Sequence, residues 1–137
     1  MLNLILLFVA FQLKHYVCDY VIQMRDPYYN RKFDLHGWFL PLTAHCASHF
    51  YGTLFIVWIF LGLNTELPLS DVMLYSALLS AFDFAMHFSM DRVKSSPHYF
   101  GMLLDQTDYR YWLVSGFDQM FHHLTHYVII FTVLYLI

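Results

Sequence analysis

The chain has 137 residues, 59% of them hydrophobic and 12% charged, whereas an ordinary soluble domain is about 25% charged. A formal charge of −3 provides no basic surface of the size nucleic acid needs, and no Gly-rich phosphate loop occurs, so nucleic acid is not a favoured partner. With 20% aromatic residues, 5 Gly and 4 Pro, disorder is excluded as well, because too much apolar surface would stay solvated. These bounds describe an integral membrane protein that folds as one domain over residues 1–137.

A spanning helix needs about 20 mostly apolar residues, and four segments meet that length. The first runs from about Met1 to Met24, the second from Trp38 to Leu63, the third from about Asp71 to Val93 and the fourth from about Tyr111 to Ile137. The opening stretch MLNLILLFVAFQL lacks a basic n-region and a small-residue cleavage site, so it is expected to be mature structure. RDPYYNRKFDLHG forms a polar turn after span one, and NTELPLS follows span two, with Ser70 a candidate N-cap for span three. DRVKSSPHYFGMLLDQTDYRY is longer, and its middle is expected to form a short interfacial helix. The predicted fold is all-α, four transmembrane helices in an up-down bundle.

Lys and Arg accumulate in cytoplasmic loops. Arg25, Arg31 and Lys32 lie in the first loop, Arg92, Lys94 and Arg110 in or beside the third, and none in the second, so six of seven basic residues agree. Both termini are therefore expected on the non-cytoplasmic side. Cys18 and Cys46 fall within apolar segments and read as small buried hydrophobes rather than a disulfide framework.

Each span also carries a polar pair four residues apart: His15 and Asp19, His45 and His49, His87 and Asp91, Asp118 and His122. Residues four apart share one helix face. In the up-down order all four pairs fall in the cytoplasmic half, although the orientation argument did not use them. A charge at the centre of a spanning helix costs roughly 2.5–3.5 kcal/mol on insertion scales, so Asp19, Asp91 and Asp118 need compensation. Hydrogen bonds to neutral histidines are one route. Metal is the stronger one, because imidazole and carboxylate are the usual ligands of zinc, manganese and iron. Five histidines and three aspartates exceed the needs of one tetrahedral ion, so two ions are expected, with zinc the leading identity and manganese or iron alternatives. The plainer reading is polar glue between helices, each contact worth about 0.6 kcal/mol. Four pairs at one depth favour metal.

Flanking residues are weaker candidates. Gln23 and Gln119 either orient ligands through hydrogen bonds or cap a polar helix end. Lys94 either steadies an anionic substrate or snorkels to water, and snorkelling is the expectation. Asp83 and His126 continue two stripes more deeply and support the ligands from behind. His123 points about 100° from His122 and reads as a packing histidine, while His36 and His98 lie in loops and read as solvated. Tyr28, Tyr29, Trp38, Tyr111 and Trp112 read as interface belts.

HYVCDYVIQ, HCASH, HFSMDRVK and DQMFH resemble, in order, the signature segments of DUF3307, a family of small bacterial and bacteriophage membrane proteins. The resemblance runs from His15 to about His126. It implies a bacterial inner-membrane or phage-encoded protein and carries the eight ligand candidates with Gln23, Lys94 and Gln119 onto the positions named here. It implies no activity. A looser similarity is to inner-membrane metal-dependent hydrolases.

From the residues, hydrolysis is the leading expectation: a metal pair makes a bound water acidic and clamps the oxygens of a phosphoester or acyl group. Asp91 and Asp118 are the candidate catalytic carboxylates, as ligand or general base. The substrate would be an inner-leaflet lipid or a small cytosolic molecule. HCASH and HHLTH also resemble the histidine boxes of membrane di-iron desaturases, although those chains are longer and richer in histidine. Cation or proton passage needs polar residues at every depth, and MLNLILLFVAF, TLFIVWIFLGL and VIIFTVLYLI are nearly bare of them. A non-enzymatic protein that binds a host membrane partner and holds metal structurally is the remaining alternative. Four short helices either close a bundle alone or assemble as a homo-oligomer.

Overall fold

The computed structural model describes residues 1–96 and 105–137, and no strand occurs among them. Helix α1 is continuous from Leu2 to Arg25, with its Val17–Ile22 stretch wound as a π-helix. Asp26 ends it in an extended conformation, and Asp26 Oδ1 accepts a hydrogen bond from Tyr28 N at 2.9 Å. That cap, with Pro27 at the first helical position, starts the one-turn helix α2, Pro27–Asn30. A 3₁₀ turn over Arg31–Phe33 follows. Gly37, at φ +79°, then takes a backbone conformation that a β-carbon would strain.

Helix α3 spans Phe39–Asn64, α4 spans Leu69–Ser95 and α5 spans Tyr109–Leu136. The Thr65 hydroxyl donates to Leu61 O at 2.9 Å where α3 stops. Pro68 holds the N-cap position of α4, and its carbonyl accepts from Asp71 N and Val72 N at 2.9 and 3.1 Å. The expected cap at Ser70 is thus corrected: Ser70 lies inside the helix and donates to Asp71 Oδ1 at 3.3 Å. Helix α5 begins at Tyr109, two residues before the expected start. Asp108 Oδ1 caps it, accepting from Arg110 N at 2.9 Å, and the Arg110 guanidinium beside Asp108 holds that carboxyl below its usual range. The interfacial helix expected in the third connection falls largely on residues 97–104, outside the described residues, as does His98.

Helices α1, α3 and α4 are long and apolar enough to cross a membrane. Helix α5 has the length, but His122, His123 and His126 interrupt its apolar run. Polarity is inverted relative to a water-soluble domain. Ile5, Leu13, Phe55, Leu78, Leu124 and Phe131 are each more than half exposed, while Asp83, His49, His87 and His126 have no exposed surface. A long apolar exterior around a charged interior suits lipid as solvent.

Apolar packing is concentrated at one end. Leu7 and Phe11 from the first half of α1 meet Val57 and Leu61 late in α3, Val72 at the start of α4, and Ile129, Ile130 and Val133 late in α5. In a bilayer these contacts are stabilised by close packing and not by removal from water. Ser76 and Ser80 on α4 donate to the carbonyls four residues back, each at 2.7 Å, so their hydroxyls are satisfied within the helix. The other end of the bundle holds the polar cluster.

Candidate metal centre

The pattern of polar pairs places one imidazole or carboxylate per turn on the inward face of each long helix, and folding brings all four faces together. Asp19 accepts at Oδ1 from His49 Nε2 at 2.9 Å, with His45 Nε2 3.4 Å from the same oxygen and His15 Nε2 3.2 Å from Oδ2. His45 Nε2 lies 3.2 Å from Asp91 Oδ2. His122 Nε2 lies 3.4 Å from Asp91 Oδ1 and 3.2 Å from Asp118 Oδ1. A continuous chain, Asp19–His45–Asp91–His122–Asp118, therefore crosses from α1 through α3 and α4 to α5. Gln119 Oε1 accepts from His15 Nε2 at 2.9 Å, which orients that ring from outside the chain.

The rings pack as tightly as the polar atoms. His87 stacks on His122 with centroids 4.0 Å apart and packs against His49 at 3.9 Å with the rings tilted by 31°. His15 sits 5.4–6.0 Å from five other imidazoles. The π-helical turn matters here, because it widens α1 where Asp19 must reach His45 and His49 on a neighbouring helix. Such turns inside α-helices are frequent at functional sites. Nothing in VCDYVI announces one.

Four groups of three side chains offer ligand atoms that all lie within 4.8 Å of one another: Asp91, Asp118 and His122; His15, Asp19 and His49; His49, Asp83 and His87; His15, His87 and His126. Each group could hold a metal ion. His45 joins the first two through Asp91 and Asp19. All eight expected ligands, with Asp83 and His126, thus gather in one cluster. Six buried imidazoles each leave one ring nitrogen without a hydrogen-bond partner: Nδ1 of His15, His45, His49, His122 and His126, and Nε2 of His87. An unsatisfied buried polar group costs about 1–3 kcal/mol, so the cluster is poorly satisfied by its own atoms. His123 belongs to none of these groups and borders the cluster, its Nδ1 3.2 Å from Gln12 Nε2.

Three lysines change the expected charge balance. Lys32 reaches back from the first connection, where its Nζ donates to Asp91 Oδ2 at 2.8 Å and Gln23 Oε1 at 3.0 Å. Lys94 Nζ lies 2.5 Å from Asp118 Oδ2, so the expectation that it snorkels is corrected: a paired carboxylate offers more than bulk water at that depth. Lys14 Nζ donates to Asp83 Oδ2 at 2.7 Å and His126 Nε2 at 3.1 Å. Compensation of the aspartates, expected from histidine or metal alone, comes partly from these ammonium groups. Lys14 and Thr53, whose hydroxyl donates to Asp83 Oδ2 at 2.5 Å, went unrecognised in the sequence. The available signal was that Lys14 is the one basic residue far from either basic loop.

A cavity of about 590 Å³ opens onto the cluster. Asp19, Asp91 and Asp118 line it together with Gln23, Lys32, Lys94 and Gln119, and among the described residues no histidine does. The carboxylates face the cavity and the imidazoles stand behind them. Tyr111 and Trp112, expected to serve only as interface anchors, also line the cavity with Tyr20, Met24 and Phe33. Trp38 instead carries the Arg92 guanidinium 3.7 Å above its ring, and Tyr29 packs edge-on to His45 at 6.4 Å. Cys18 and Cys46 are buried free thiols and form no disulfide. No family model, no curated protein and no solved structure matches this chain, so the resemblance to DUF3307 draws no support from these comparisons.

Proposed function

We propose that this chain is an integral membrane protein of four up-down spans that binds divalent metal in its cytoplasmic half and acts there as a metal-dependent hydrolase. The observation that carries the metal reading is the convergence of four aspartates and five histidines, from four helices, on four three-atom ligand groups beside a cavity. Two of those groups, Asp91–Asp118–His122 and His15–Asp19–His49, each contain a carboxylate that lines the cavity, and they suit a pair of ions. Zinc matches the His and Asp donors best; manganese and iron share them.

Bound there, divalent metal supplies an acidic water and a Lewis acid for phosphoester or acyl cleavage. Asp91 and Asp118 face the cavity, where one can accept a proton from an attacking water while the other ligates. Lys32 and Lys94 place ammonium groups on the same wall and favour an anionic substrate. The apolar lining from Met24, Phe33 and Trp112 suits an inner-leaflet lipid or a small molecule with an apolar part. The same proposal includes a bacterial inner-membrane location, kinship with DUF3307 resting on the four motifs alone, and termini away from the cytoplasm. The orientation rests on Arg25, Arg31, Arg92 and Arg110, since the 65–68 connection has no basic residue.

The lysine pairings favour a second reading, a metal-free polar network that holds the helices in register. Elemental analysis of detergent-purified wild type beside His45→Ala and Asp118→Ala separates the two. Near-stoichiometric metal that falls in both variants supports the metal site, and iron with oxygen-dependent turnover would move the reading to an oxidase. Metal-free wild type leaves the network.

A further inference from the structure

Below the cavity-facing chain the polar cluster continues into a second centre around Asp83, which shares His15 and His49 with the cavity-facing groups. Asp83, on α4, has no exposed surface and does not line the cavity. Its Oδ2 accepts from Lys14 Nζ at 2.7 Å and from the Thr53 hydroxyl at 2.5 Å. Its Oδ1 lies 3.0 Å from His87 Nδ1 and 3.8 Å from His126 Nε2. His126 Nε2 in turn accepts from Lys14 at 3.1 Å. These are donors of the kind a divalent cation takes. Two groups of three ligand atoms lie at this depth, His49–Asp83–His87 and His15–His87–His126, and they meet at His87, whose Nε2 is buried without a partner.

The ammonium stands where a cation would be held, and the fold is shaped to admit it. A β-carbon built at Gly52 would lie 2.8 Å from Lys14 Cγ and 3.6 Å from its Cδ. A β-carbon there would push the lysine stem out of its path along α3. The stem then runs beside Phe11, whose ring centre is 5.7 Å from Nζ. An adventitious snorkelling lysine would turn outward toward water; this one is 7% exposed and points into the bundle.

Resting on the metal reading given above for the cavity-facing groups, we propose that the Lys14 ammonium is the resident cation of a third, deeper site made by Asp83, His126, His87 and Thr53, and that it keeps divalent metal out of that site. Metal is thereby confined to the carboxylates that substrate can reach, and the inner half of the bundle is closed to cation passage.

The test is zinc stoichiometry. Purified wild type, Lys14→Met and Lys14→Met/Asp83→Asn are equilibrated with zinc chloride in detergent, desalted and analysed for metal per chain, with helicity checked by circular dichroism. Lys14→Met should hold one ion more than wild type, and the double variant should return to the wild-type number. Folded Lys14→Met with no extra ion overturns the proposal, as does an extra ion that survives Asp83→Asn. Zinc-free wild type would refute the cavity-site reading separately: one ion in Lys14→Met would still support the deep site, and none would overturn it. Lys14→Gln, which keeps a donor for Asp83 without the charge, should also gain the ion. If neither single variant folds even with zinc supplied during expression, the proposal falls, because a divalent ion should replace the lost charge.

Discussion

Lys32 Nζ sits 2.8 Å from Asp91 Oδ2, joining residues 59 positions apart in sequence and both less than 8% exposed. A residue of a loop that reads as a surface charge is thus the direct counter-ion of a buried candidate ligand. Removing one partner of a buried pair leaves an uncompensated charge and costs about 3–5 kcal/mol. Lys32→Met should therefore lower the thermal midpoint of metal-stripped protein. Zinc should restore most of the loss, because the ion supplies charge to Asp91 by another route. Thermal unfolding in detergent, with and without zinc, reads both effects, and an equal deficit in the two conditions would place Asp91 outside the metal site.

Gln119 offers a milder probe. Its Oε1 orients His15 at 2.9 Å, and its amide lies 3.4 Å from Asp118 Oδ2. Loss of a partner that orients a ligand typically weakens metal affinity about 10–100-fold. Gln119→Ala should show a drop of that size by chelator competition while helicity stays unchanged. Unchanged affinity would mean that His15 binds no metal.

Glycines distinguish packing from propensity. Gly52→Ala forces the Lys14 stem aside and should destabilise by about 1–3 kcal/mol, the usual cost of overpacking. A β-carbon at Gly62 or Gly116 meets nothing within 4 Å. Gly116→Ala should be neutral or stabilising by up to about 1 kcal/mol, since alanine is the better helix former. Comparison of unfolding midpoints decides it, and a stable Gly52→Ala would show that Lys14 has room to spare.

Metal occupancy should depend on pH with a definite sign. Histidine ligands bind as neutral imidazoles, whose ordinary pKa is about 6.5, so protons compete with metal and binding releases them. Zinc retained at pH 8 should be lost progressively as the pH falls through and below that range. A retained-zinc titration checks this, and occupancy that persists to pH 4 would point to carboxylate ligands alone.

Topology can be read chemically. In a chain whose Cys18 and Cys46 are replaced by serine, Asn30→Cys and Asp105→Cys should react with an impermeant thiol reagent from the cytoplasmic side, and Glu66→Cys from the opposite side. All three on one side would exclude the up-down order and with it the shared depth of the polar pairs.

Apolar run length and a four-residue spacing are local properties of a chain. The all-helical architecture and the inward faces bearing His15, Asp19, His45, His49, His87, Asp91, Asp118 and His122 were therefore legible from the sequence alone. Helical geometry ties a residue's face to its position, and position along a span ties it to depth. Apart from the local Ser70 cap and the π-helical turn at Val17–Ile22, the exceptions are cases in which distance along the chain says nothing about distance in space. Lys14 finds Asp83 across 69 residues and Lys32 finds Asp91 across 59, because a four-carbon stem can turn inward or outward and only the surrounding helices select between them. The passage opened by Gly52 and the division into cavity-facing carboxylates and inner imidazoles belong to the same class. Sequence determined which groups would share a depth; tertiary packing decided which lysine neutralises which aspartate.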